Sequence, residues 1–163
     1  MNSRSLTVAL LLTAASLGCM PVSAQNAAAI EQVMVSISMQ TNRLDTALDT
    51  LAVIGKNLRG ADAGRVGEVT SAGRQFTGAV GEAAPLSLIL RHMTAPDDIR
   101  FTRTMLAISA SKAVLIADSD ARIINRYLPH MATPQAVAES VKIRDAILET
   151  RNLLAAVAHA PES

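Results

Sequence analysis

From Asn26 onward the apolar positions return in alternating steps of four and three: Ile30, Met34, Ile37, Thr41, Leu44, Leu48, Leu51, Gly55 and Leu58. Polar Gln32, Arg43, Asp45 and Asp49 fall off that line. A seam held for about four heptads is the mark of an amphipathic helix packed along one face. It predicts a first helix over about 26–59.

The next stretch is ambiguous. Seven of the eight glycines lie between Gly55 and Gly81, and each glycine inside a helix costs about 1 kcal/mol relative to alanine. A flexible loop over 60–83 is one reading. Yet Val66, Val69, Gly73, Phe76 and Val80 again step by three and four. If a turn near Gly60 folds this segment back on the first helix, partners should add to about 120 in residue number. Leu51 then meets Val69, Leu48 meets Ala72, Leu44 meets Phe76 and Ile30 meets Leu90. Large residues opposite small ones suit close packing. The pattern therefore predicts a second helix over about 62–93, kinked or broken near Pro85.

Thr94-Ala95-Pro96-Asp97 reads as a capping box opening a third helix, about 95–128. Its inward stripe is Ile99, Leu106, Ala110, Ala113, Ala117, Ala121, Ile124 and Leu128. Pro129 should stop it. Thr133-Pro134 supplies a cap and a first helical residue for a fourth, about 134–159. Val137, Val141, Leu148 and Ala155, with Ile143, Ile147, Leu154 and Ala158, give that helix its apolar side. Short connections favour antiparallel neighbours. The expected fold is all-α, an elongated antiparallel up-down-up-down four-helix bundle occupying residues 25–163.

What precedes it reads as an address. Arg4 followed by the apolar run Leu6 to Leu17, then Val22-Ser23-Ala24, has the form of a secretory signal peptide over 1–24, cut between Ala24 and Gln25. A competing reading takes Leu17-Gly18-Cys19 as the end of a lipobox, with Cys19 lipidated, although Ser16 stands where leucine is usual. Both readings place the protein outside the cytoplasm, in the periplasm, with lipid anchoring in the envelope or secretion as the alternatives.

Composition narrows the function more than it defines it. Fifteen Lys and Arg balance 14 Asp and Glu, half of the 163 residues are hydrophobic, and aromatic residues make up 2%. A nucleic-acid binder needs a basic face and stacking aromatics, so none is expected. One cysteine excludes an internal disulfide. Catalytic signatures for zinc hydrolysis, phosphate cradling or a serine nucleophile are missing, and neither an enzymatic role nor a cofactor is expected.

Several residues are nonetheless candidates. The topology brings His92, Asp97, Asp98 and His159 to one end, where a surface metal site is allowed, although histidines near helix C-termini commonly serve the helix dipole alone. Asp120 and Arg144 satisfy the register for the last two helices and are expected as a structural ion pair. Met34, Met39, Met93, Met105 and Met131 read as core filling. Leu86, Ile89, Leu90 and Met93, with Leu88 beside them, make an apolar cluster wider than a bundle seam needs, and are the expected interaction surface. The resulting expectation is an exported non-enzymatic bundle with a protein partner in the envelope, self-association remaining open and membrane attachment only through a lipid anchor. A small-ligand or metal-binding periplasmic protein is the alternative.

Overall fold

A computed structural model describes the backbone of residues 22–159 and the side chains of residues 29–159. Cys19 and the leader's apolar run lie outside the described residues. Among those described there are four α-helices and no strand: α1 Val22–Lys56, α2 Ala61–Leu90, α3 Pro96–Tyr127 and α4 Pro134–Ala158. A short 3-10 turn, Leu128–His130, follows α3. The protein is all-α. The Ala24–Gln25 bond falls in the first turn of α1.

The glycine-rich stretch is helical, and it runs unbroken through Pro85. Proline removes one N–H and pushes on the carbonyl four residues earlier. Here that residue is Gly81, exposed and without steric neighbours, so its carbonyl can turn to water. Two other glycines are packing devices. A Cβ at Gly73 would stand 2.5 Å from Leu48 Cδ2, and one at Gly55 would stand 2.9 Å from Val66 Cγ1. Both bring α1 and α2 together at distances no side chain permits. Gly60 has φ 68°, a left-handed turn conformation that glycine adopts without steric cost.

Residues late in α1 thus meet residues early in α2. The reverse holds at the other end, where Arg91 Nη2 lies 2.9 Å from Glu31 Oε1. Each helix packs on its successor, and α4 also packs on α1. Ion pairs cross two further contacts: exposed Lys112 with Glu82 at 2.8 Å, and half-buried Arg151 with Asp118 at 3.1 Å. Between them lies one apolar core containing Ile37, Leu44, Leu51, Phe76, Leu106, Ile124, Ile143, Ile147 and Leu154. Alanines 110, 113 and 117 form the inner face of α3, all fully buried.

Several expected details differ. The first helix stops at Lys56, where Asn57 and Leu58 donate to carbonyls three residues back. The second stops at Leu90, before Met93. Ala95, not Thr94, is the cap residue of α3, because Pro96 sets the first helical φ without needing an N–H. On α4 the core line is Ile143, Ile147 and Leu154, while Leu148 turns to solvent. Met39 and Met105 are exposed as well and fill no core.

Asp120 and Arg144 do not pair. The Arg144 guanidinium binds Asp145 Oδ1 at 2.7 Å and reaches Asn125 Oδ1 at 3.3 Å, more than a turn beyond Asp120. The Asp118–Arg151 and Asn125–Arg144 contacts are one heptad apart on both helices, so they share a register displaced from the expected one. Asp120 is left fully buried, with neither carboxyl oxygen hydrogen-bonded. Desolvation pushes its pKa up from 3.8 to about 6.

Asp62 is the polar anchor at the opposite extreme. It accepts hydrogen bonds from the Thr133 hydroxyl at 2.9 Å, the Thr133 N–H at 3.0 Å and the Ala132 N–H at 3.0 Å. Arg65 donates to Asp62 at 3.0 Å and also to the His130 carbonyl. The first turn of α2 therefore holds the α3–α4 connection. The Thr133 hydroxyl, with lesser help from the neighbouring N–H donors and Arg65, keeps the Asp62 carboxyl below its usual pKa, outweighing desolvation.

Candidate apolar groove between α1 and α2

The first half of α1 and the last turns of α2 do not close completely. Ser38 on α1, with Ala84 and Ser87 on α2, are too short to fill the space between the helices. A groove of about 510 Å³ remains. Ile30, Met34 and Val35 form the α1 wall, Leu88 and Leu90 the α2 wall, and the Glu31–Arg91 pair stands at its rim. Val35 and Leu88 are both more than half exposed.

The polar atoms in this groove offer little to a polar ligand. The Ser87 hydroxyl donates to the Ala84 carbonyl of its own helix at 2.8 Å. The two charges at the rim neutralise one another at 2.9 Å. What the groove can do is cover apolar surface. At about 25 cal/mol per Å² of apolar area removed from water, a helical turn carrying two large side chains would gain several kcal/mol before ordering costs.

The expected cluster is only partly this surface. Leu90 is buried and forms part of the groove lining, Leu86 packs against the core, and Met93 is half-buried with its sulfur accepting the Thr102 hydroxyl at 3.1 Å. Of the four named residues Ile89 alone is exposed, and Leu88 beside it lines the groove. The α1 wall is not visible in the periodicity of one helix: Ile30 and Met34 lie on the seam, and the sequence sign of an open face is Val35, an apolar residue one position off it.

His92, Asp97, Asp98 and His159 are all exposed. Among the described residues no three His, Cys, Asp or Glu side chains converge as a metal would require. No described helix is long and apolar enough to cross a membrane. No protein-family model, curated protein or solved structure matches the chain.

Proposed function

We propose that this is an exported, non-enzymatic protein of the cell envelope, an up-down-up-down antiparallel four-helix bundle that holds an apolar helix of a partner protein in the α1–α2 groove. The bundle reading is supported by the pairing of late α1 with early α2 and by the closure of α4 on α1. Export is supported by the charged start, apolar run and Val22-Ser23-Ala24 of the leader, with lipidation at Cys19 as the variant form. The groove itself carries the functional reading: it is open, its walls are mostly apolar, and its rim charges and the Ser87 hydroxyl are already paired, which suits the hydrophobic stripe of a helix.

A photocrosslinker at Val35 in the producing cell tests this. One partner should be captured reproducibly, and Leu88→Glu should abolish its capture while leaving the helical content unchanged. Capture unaffected by Leu88→Glu would refute the groove as the site. A second reading, a small apolar ligand, draws on the groove's volume, which lies within the range of ligand pockets. Native mass spectrometry of gently purified protein would show such a ligand as a defined added mass. The mass of the mature N-terminus distinguishes Gln25 from lipidated Cys19.

A further inference from the structure

The outer face of α3 is built like a second seam. Opposite its alanine-lined inner side, one line runs at alternating steps of three and four through Asp98, Phe101, Met105, Ile108, Lys112, Leu115, Ser119 and Arg122. At 100° per residue this line lies some 145° around the helix from Leu106, Ala113 and Ala117. Its large side chains face solvent: Phe101 is 68% exposed, Met105 37%, Ile108 56% and Leu115 71%. On most bundle helices the large residues point inward and the small ones outward. Between Ala110 and Ala117 of α3 the two are exchanged, while Leu106 and Ile124 keep large side chains in the core.

The charges on the line are arranged for a copy of itself. Asp97 and Asp98 lie in the first turn and Arg126 in the last, with Arg122 a turn before it. All four are exposed, and none forms an ion pair with another described residue. Laid parallel on a second α3, the line would set Asp98 against Asp98, Lys112 against Lys112 and Arg122 against Arg122. Laid antiparallel about a two-fold axis between Ile108 and Lys112, it sets Asp98 against Arg122, Phe101 against Ser119, Met105 against Leu115 and Ile108 against the Lys112 stem. Every layer then occurs twice, as a closed two-fold interface demands. Alternation of a and d positions across the axis is the packing of an antiparallel coiled coil.

We propose that the outer face of α3 is a homodimerisation seam, on which a second copy of this chain docks antiparallel through Met105, Ile108 and Leu115 and is oriented by Asp98 facing Arg122. The seam is separate from the α1–α2 groove and does not depend on it.

Sedimentation equilibrium of the purified chain, its N-terminus read by mass, tests the proposal. A concentration-dependent dimer is expected. Leu115→Glu and Met105→Glu should each weaken it at least about tenfold, as loss of central apolar anchors does, without changing the helical content or Tm of the monomer. Asp98→Arg alone should weaken the dimer, and adding Arg122→Asp should restore it. In a Cys19→Ser background, Met105→Cys combined with Leu115→Cys should oxidise to a 105–115 link between copies. A protein that stays monomeric up to hundreds of micromolar would overturn the seam. So would a dimer indifferent to Leu115→Glu, a failed charge exchange, or links joining 105 to 105.

Discussion

Asp120 gives the sharpest test of the core. Its carboxyl is fully buried in α3, without a hydrogen-bond partner, and burial raises its pKa from 3.8 to about 6. The folded protein therefore binds this proton more tightly than the unfolded chain. Stability from this group is full below pH 3.8 and is lost as the pH rises through about 6. At 1.36 kcal/mol per pH unit, keeping the carboxylate ionised above that window costs the fold roughly 3 kcal/mol, a large share of a typical domain's stability. Asp120→Asn keeps the shape and the polarity of the neutral acid but cannot ionise. Urea unfolding of both proteins from pH 4 to pH 8 isolates the effect, because other titrating groups cancel in the difference. Asp120→Asn should match the wild type near pH 4 and exceed it by roughly 3 kcal/mol at pH 8. A difference that stays flat across this range would refute the reasoning, as would a carboxyl resonance of Asp120 titrating below pH 4.

Two glycine substitutions of the same kind should have opposite signs. Gly73→Ala drives a methyl against the enclosed Leu48 side chain and should lower unfolding free energy by about 1–3 kcal/mol; Gly78→Ala meets open space and should raise it by about 0.5–1 kcal/mol. Phe76→Ala, at the centre of the core, should cost about 3–5 kcal/mol in denaturant unfolding. Asp62→Ala should lower Tm and speed amide exchange at Ala132 and Thr133, whose N–H groups it now holds. Because its folded pKa is depressed, the Asp62 contribution is present above pH 3.8 and disappears as the pH falls through the lowered value, so the two proteins should converge in acid.

Much of the helical plan was legible because it rests on local rules. The heptad line of α1, the alanine stripe of α3 and Thr133-Pro134 each placed an element from a few residues of spacing. The glycine segment was harder, since propensity argued for a loop and only its match to α1 argued for a helix. Gly73 against Leu48 shows why the match prevailed: the missing side chain that weakens the helix locally is what admits the neighbouring helix. The Asp120–Arg144 pairing failed for a different reason. Counting from a turn fixes register only to within a helical turn, and long arginine side chains settle the remainder by finding Asn125 and Asp118. The groove could not be read from one helix, because it is formed by short residues on two. The outer line of α3 has the same seven-residue spacing as its inward stripe, so periodicity alone does not say which of the two faces the core.

The Asp62 clasp has a consequence for how the protein is assembled. An ordinary helix carries its own start signal within a residue or two, so it can begin before the rest of the molecule is in place. The start of α4 is instead stabilised by a carboxylate some seventy residues upstream. A fragment beginning at α3 would lack that acceptor and fray at Thr133, whereas synthesis from the N-terminus brings Asp62 out of the ribosome first. At this end, local helix formation and long-range docking are one event.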